Sequence, residues 1–247
     1  MDSPITIVDT EDENPTETPL PGLTARQALT TDQATTFRLE LRSAVSNTWV
    51  SHPNWASYGV VRQGRLGISY REDGSESTLE ASTGDCFQVP TGVDHRFEVL
   101  GEEPVICLAA FVGSGPLFEL VDDPQPAAEP PQVASRETFV PTAKLENLTR
   151  LMAFPEAPVQ QVIGHAEGQI ASEWHHHGDN DVCGYLIRGA GYVDDGSEEP
   201  KLASTGSWFH IPAGVVHRDV NPRDDEQDYV LWLTGSEPRI VYESDGE

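Results

Sequence analysis

The sequence predicts an all-β protein made of two similar halves, each a sandwich or barrel. Short strand-like runs broken by Gly and Pro turns fill residues 35–115, as in Gly59-Val60-Val61-Arg62-Gln63-Gly64. No stretch shows a sustained helical period. Many short strands separated by turns are typical of sandwiches and barrels. The second half of the 247 residues also repeats the first, and each half is long enough to bury its own core.

The predicted organisation follows the chain. Residues 1–22 are rich in Asp, Glu, Thr and Pro and have too little apolar surface to offset ordering, which predicts an acidic disordered tail. The run Ile5-Thr6-Ile7-Val8 leaves open an edge strand on a neighbouring sheet. Residues 23–121 are predicted as the first barrel, 122–140 as a Pro-rich linker, and 141–247 as the second barrel.

An internal duplication relates the two halves. One set of residues recurs 122 positions later, pairing Gly84, Pro90, Gly92 and His95 with Gly206, Pro212, Gly214 and His217. Upstream the offset is 125, pairing Trp49, His52, Gly59 and Gly64 with Trp174, His177, Gly184 and Gly189. A nearly constant offset between unlike residues indicates a repeat.

Five of the eight histidines lie between Trp174 and Asn221. On a strand, His175 and His177 would face one side while His176 faces the other. His217 lies on a later strand-like segment. Two imidazoles from one strand and a third from a partner strand can form the nitrogen face of a metal site.

This stretch resembles the two motifs of the cupin superfamily. The second motif, G-x5-P-x-G-x2-H-x3-N, is matched at every fixed position by Gly206, Pro212, Gly214, His217 and Asn221. Counting back from Gly189 as the closing glycine of the first motif aligns its H-x-H with His175 and His177. The same count places Val182 where the family has a glutamate. The resemblance implies a bicupin, two tandem double-stranded β-helix or jelly-roll barrels.

The resemblance also implies which residues hold a metal. In the second barrel the expected ligands are His175, His177 and His217. Asp181 is a candidate fourth ligand if its loop bends inward.

In the first barrel the corresponding positions are Val50, His52 and His95, with Ser57 at the glutamate position. Two imidazoles without a third protein ligand hold a divalent ion poorly, so this site is predicted to be degenerate. The alternative that this barrel binds a small ligand without a metal is left open.

The chemistry expected of the second barrel depends on its metal. With iron(II), three neutral imidazoles leave open positions for a substrate and dioxygen, and the resemblance implies dioxygenases among the family. Manganese, nickel or zinc would act as a Lewis acid in an isomerase or lyase. An obvious general base is missing, which favours the dioxygenase, and Tyr185 and His210 are the candidates for proton transfer. A non-catalytic cupin that binds a small ligand or sugar is the alternative.

Composition limits the partners and the location. A formal net charge of −26 and a pI near 4.4 argue against nucleic acid and anionic membranes. The acidic, lysine-poor composition predicts a salt-adapted, halophilic protein. Three cysteines without a C-x-x-C motif predict buried thiols in a reducing compartment. Without an apolar spanning run or a leader-like N-terminus, the expectation is a cytoplasmic protein that acts on a small molecule, as a monomer or a homodimer.

Overall fold

The computed structural model describes residues 3–235 and 240–242, without the side chains of residues 143–145. Within these ranges the chain forms strands and three 3-10 turns, at Thr10–Asp12, Ser43–Asn47 and Arg136–Thr138. None of the described residues forms a helix long and apolar enough to cross a membrane. The chain divides into an N-terminal unit, Asn14–Thr138, and a C-terminal unit, Met1–Glu13 with Phe139–Glu247.

The first strand, β1 (Thr6–Val8), belongs to the C-terminal unit. The strands of the N-terminal unit follow it: β2 (Asn14–Thr16), β3 (Leu23–Thr30), β4 (Ala34–Leu41), β5 (Val50–Ser51), β6 (Trp55–Gln63), β7 (Arg65–Glu72), β8 (Ser75–Ser82), β9 (Cys86–Val89), β10 (His95–Val99), β11 (Val105–Gly113), β12 (Glu119–Leu120) and β13 (Gln132–Ala134). They form a seven-stranded sheet in the order β13-β9-β6-β11-β4-β3-β2 and a five-stranded sheet in the order β12-β5-β10-β7-β8.

The core of this unit follows from alternation along the strands. In β4, Phe37, Leu39 and Leu41 are buried in the core, and the charged Arg38 and Glu40 alternate with them. Every pairing of named strands is antiparallel, so successive strands can be joined by tight turns. The β7–β8 hairpin turns at Asp73-Gly74, where both residues have positive φ, as a two-residue type I′ turn requires.

The C-terminal unit repeats this plan. Its remaining strands are β14 (Val140–Leu145), β15 (Leu148–Met152), β16 (Gln160–Ala166), β17 (Ile170–Ala171), β18 (His175–His176), β19 (Val182–Arg188), β20 (Ala190–Asp194), β21 (Lys201–Ser204), β22 (Trp208–Ile211), β23 (Arg218–Asn221), β24 (Gln227–Leu233) and β25 (Val241–Tyr242). Its sheets have the orders β1-β22-β19-β24-β16-β15-β14, β17-β23-β20-β21 and β18-β25.

The N-terminal segment differs from the predicted disordered tail. β1 pairs antiparallel with β22, and Ile5 lies in the core of the C-terminal unit at 3% exposure. Glu13 is buried and its Oε1 accepts a hydrogen bond of 2.8 Å from Trp208 Nε1. The edge strand left open by the sequence is therefore present. Its strand partner is about two hundred residues away, so local composition did not reveal the burial that offsets the ordering of this segment.

The predicted linker also contains regular structure. Within residues 122–140, β13 pairs with β9 and extends a sheet of the N-terminal unit. The compact unit ends at Thr138, beyond the predicted boundary at residue 121. The proline-rich stretch thus includes a strand whose hydrogen-bonding partner is distant in sequence. The three cysteines are free and buried.

Candidate metal centre

Two backbone segments bring three histidines together in the C-terminal unit. His175 and His217 form an antiparallel bridge, in which each N–H donates to the other's carbonyl at 2.9 Å. Residues paired directly across two strands point to the same face, and alternation points His177 the same way as His175. All three side chains are buried.

The three imidazoles converge. One ring nitrogen from each of His175, His177 and His217 lies within 4.8 Å of the others. The ring centroids are 4.4 Å apart for His175 and His217, 5.0 Å for His175 and His177, and 5.2 Å for His177 and His217. This spacing allows the three nitrogens to share one metal ion.

Backbone carbonyls set the tautomer of two of these rings. His175 Nδ1 donates to Glu173 O at 2.8 Å, and His217 Nδ1 donates to Val215 O at 3.0 Å. The Nε2 lone pair is then available for a ligand. His175 Nε2 is buried without a hydrogen-bond partner, and burial lowers the pKa of this imidazole. A buried neutral imidazole with an unused lone pair fits a divalent cation.

Three polar side chains that the sequence analysis missed, Arg150, Asp219 and Tyr229, form a hydrogen-bonded cluster in the same unit, with Arg150 and Tyr229 buried and Asp219 half-buried. Arg150 Nε donates to Tyr229 Oη at 2.9 Å, and Arg150 Nη2 donates to Asp219 Oδ2 at 2.5 Å. Burial raises the pKa of the Asp219 carboxyl, but the charge of Arg150, the largest opposing cause, outweighs it, and this pKa falls to about 2. Asp219 therefore carries a negative charge that neutralises Arg150.

The position of Tyr229 depends on a glycine. A Cβ added at Gly164 would lie 2.0 Å from Tyr229 Cζ, so a side chain at residue 164 would collide with the ring. The paired positions in the N-terminal unit are Leu39 and Cys107, a large residue opposite a small one.

The cluster of Arg150, Asp219 and Tyr229 is specific to the C-terminal unit. By the offsets of the duplication, Ala25, Phe97 and Cys107 occupy the positions of Arg150, Asp219 and Tyr229. All three belong to the hydrophobic core of the N-terminal unit. One signal was available in the sequence: Arg150 lies two residues after the apolar Leu148, at a position that alternation points inward.

A cavity of about 370 Å³ adjoins this site. It is lined by His177, Arg150, Gln160 and Thr142 and by a larger number of apolar residues. Cavities of this size and polarity are suited to small organic ligands.

Asp181 is not brought to the three imidazoles. Its Oδ1 accepts a hydrogen bond of 3.1 Å from Ala213 N and lies 3.2 Å from His210 Nε2. Among the described residues, the cluster able to hold a metal contains only the three histidines. Asp181 points to the same face of the sheet as Cys183 and Tyr185, whereas the adjacent Val182 points into the core. The loop that carries Asp181 therefore does not bend toward the histidines, as a fourth ligand would require.

Tyr185 and His210 also lie away from the site. In the paired strands β19 and β22, Val182, Phe209 and Ile211 belong to the core, and Tyr185 and His210 alternate to the opposite face. The Tyr185 ring packs edge-on against Trp208, with centroids 4.9 Å apart. Neither side chain is placed to transfer a proton at the three-histidine site. The sequence alone did not show which face of the sheet each of these residues occupies.

The N-terminal unit keeps two of the three imidazoles. His52 and His95 are fully buried with ring centroids 4.7 Å apart, and their Nδ1 atoms donate to Leu117 O at 2.6 Å and Val93 O at 2.8 Å. Val50, at the position of His175, is fully buried in the core, and Phe97 packs edge-on against His95. Apolar packing thus takes the place of the third ligand, and the loss of metal binding in this unit remains a prediction.

The two similar β-units and the three-histidine cluster found among the described residues are the architecture of a bicupin. Residues 38–111 and 162–233 each match the family model described as Cupin domain, and together they cover more than half of the chain. The chain belongs to the cupin family and carries its domain twice, which confirms the predicted fold class.

Solved structures with this fold include oxalate decarboxylases. The chain is similar to oxalate decarboxylase from Bacillus subtilis, with a TM-score of 0.75 and 13% identity over 96% of this chain and 78% of that one. It is also similar to the formate complex of oxalate decarboxylase from Lactobacillus farciminis, with a TM-score of 0.72 and 12% identity over 96% and 88% of the chains. A third match, at a TM-score of 0.71 and 13% identity over 96% and 78%, comes from work on the Mn(II) centres of the Bacillus subtilis protein. At these identities the likeness shows the fold. No curated protein sequence matches the chain.

Proposed function

We propose that this bicupin is a metal-dependent enzyme of the non-haem iron(II) dioxygenase type, which acts on a small organic substrate in the C-terminal unit. The convergence of His175, His177 and His217 supports the proposal most directly. Iron(II) held by three neutral imidazoles would keep open positions and supply redox chemistry with dioxygen.

The chain's own residues have defined tasks in this proposal. The three imidazoles bind the ion, and the carbonyls of Glu173 and Val215 hold two of the rings in the metal-binding tautomer. The adjoining cavity, with its mainly apolar lining, binds the substrate.

The facing of the strands favours a reaction that needs no protein acid or base at the metal. Tyr185 and His210 lie on the far face of the sheet, and Asp219 is held by Arg150. A dioxygenase requires less proton transfer from the protein than an isomerase or a decarboxylase.

A metal-dependent lyase is the second candidate. The structural relatives are named as oxalate decarboxylases, and one of them is described with Mn(II) centres. In that case the ion would act as a Lewis acid that polarises a carboxylate. A protein that binds a small ligand without catalysis is the third candidate, and a metal-free purified protein would favour it.

Elemental analysis of the purified protein, followed by oxygen-uptake and carbon dioxide assays on a substrate panel, tests these candidates. We expect stoichiometric redox-active iron and oxygen consumption. His217→Ala should remove both the metal and the activity, whereas the matched change His95→Ala in the N-terminal unit should leave the metal content unchanged. Carbon dioxide release without oxygen consumption would favour the lyase, and metal retained by His217→Ala would refute the site.

A further inference from the structure

The cavity beside the three histidines contains a fixed positive charge. Of the described residues that line it, Arg150 is the one with a permanent charge, and its side chain is only 8% exposed. His177 lines the same cavity. A ligand in this cavity therefore lies beside both a guanidinium and one of the metal-binding imidazoles.

The guanidinium is held in place and still has donors to offer. Its bonds to Tyr229 Oη and Asp219 Oδ2 use Nε and Nη2 and fix the plane of the group. A guanidinium has five N–H donors in a rigid fork that matches the geometry of a carboxylate. Donors beyond these two bonds remain for a ligand in the cavity.

The charges at the site favour an anion. Arg150 and Asp219 cancel, and imidazoles bind a metal in their neutral form. A divalent ion at the three histidines would leave the buried site with an excess positive charge, which an anionic ligand offsets.

The rest of the cavity is suited to an apolar body. Its walls include Val140, Met152, Pro155, Val162, Leu231 and Leu233. A second carboxylate placed against these side chains would lose its hydration without gaining a partner. The equivalents of Arg150 and Asp219 in the N-terminal unit are Ala25 and Phe97, so the charged pair occurs in the same unit as the complete set of three histidines.

We propose that the C-terminal unit binds a monocarboxylate with an aryl or alkyl body, whose carboxylate contacts Arg150 and whose body packs against the apolar wall. This inference rests on the proposed function in one respect, because the divalent ion supplies the excess positive charge. It differs from what the names of the structural relatives suggest, since oxalate is a diacid without an apolar body.

Benzoate, benzamide and oxalate are the probes for the first experiment. Each is titrated into the cobalt(II)-loaded protein, with calorimetry for affinity and the visible cobalt spectrum as a report on the metal. We expect benzoate to bind at least about tenfold more tightly than benzamide, which has the same shape without the charge. Oxalate should bind more weakly than benzoate. Equal affinity for benzamide, or oxalate binding without benzoate binding, would overturn the proposal.

Two variants separate the contacts. Arg150→Lys keeps the charge but loses the planar fork, and we expect benzoate affinity to fall about tenfold with the cobalt content unchanged. Met152→Trp fills the apolar cavity and should weaken benzoate binding without altering metal content. Arg65→Lys, at an exposed arginine of the N-terminal unit, is the matched control and should bind like the wild type. Unchanged benzoate affinity in both cavity variants would contradict the assignment.

The same titrations on metal-free protein distinguish failure of the inference from failure of the proposed function. If the histidines bind no metal, the proposed function fails. Benzoate should then still raise the melting temperature of the wild type more than that of Arg150→Lys. No Arg150-dependent effect of benzoate in either the metal-free or the metal-loaded protein overturns the inference.

Discussion

At acidic pH, the N-terminal unit is expected to lose stability through its buried imidazole pair. Burial, and next the charge of His95, lowers the pKa of His52 to about 3, and burial lowers that of His95 to about 4, each from an ordinary value of 6.5. Hydrogen bonds from Nδ1 to backbone carbonyls act in the opposite direction without restoring either value. Both rings therefore stay neutral in the folded protein at moderately acidic pH.

The direction and size of the effect follow from proton linkage. Below pH 6.5 the unfolded chain binds protons that the folded chain does not, so stability is fully present above this pH and falls as the pH drops toward the folded-state values. At about pH 5 each imidazole lowers the free energy of unfolding by about 2 kcal/mol, and the pair by about 4 kcal/mol. This is a large share of the stability of a typical domain.

Urea unfolding at about pH 7.5 and about pH 5 measures this loss. Pulsed hydrogen exchange, followed at peptides from β6 and β11, assigns the transition to the N-terminal unit. His52→Gln is the test variant, because its amide keeps an N–H donor for Leu117 O but does not titrate. We expect the variant to show about half of the pH-dependent loss. The same loss in both proteins would refute the reasoning, because the destabilisation would then come from other groups.

Three further predictions concern the C-terminal unit. Gly164→Ala should lower the free energy of unfolding by about 1–3 kcal/mol, because the added Cβ would collide with the Tyr229 ring. Adding Tyr229→Cys to the same chain should recover part of this loss. If thermal unfolding shows no recovery, the contact between the two positions is contradicted. A divalent ion at a hundredfold excess over its Kd should raise the free energy of unfolding of this unit by about 3 kcal/mol, and a chelator should reverse the increase. His217→Ala should abolish the increase in the same unfolding measurement. An increase that persists in this variant would mean that the ion binds elsewhere. Trp208→Phe removes the hydrogen bond to the buried side chain of Glu13 and should lower the free energy of unfolding by about 1–3 kcal/mol. Urea unfolding measures this loss. An unchanged midpoint would mean that the bond does not anchor the N-terminal segment.

Several features were predictable because they leave recognisable patterns in the sequence. Strand alternation and Gly–Pro turns predict an all-β fold, and the constant offset predicts two copies of it; both predictions are confirmed. The spacing of His175, His177 and His217 predicts a shared site, and the structure brings these three side chains together. Their assignment as metal ligands remains a prediction that elemental analysis can test.

Other features depended on which face of the sheet each side chain occupies. Asp181, Tyr185 and His210 lie near the histidines in sequence, but they occupy the opposite face of the sheet. A shift of one residue reverses the face of a strand, so proximity along the chain cannot replace the register.

The sequence by itself determined the duplicated β-fold, through strand alternation and the nearly constant repeat offset, and it indicated the three imidazoles through the resemblance to the cupin motifs. Only the tertiary structure decided that Arg150 meets Asp219, 69 residues away, and Tyr229, 79 residues away. It also decided that the N-terminal segment pairs with β22. These contacts join strands that are distant in sequence, and their energy comes from burial and charge pairing that exist only after the sheets have closed.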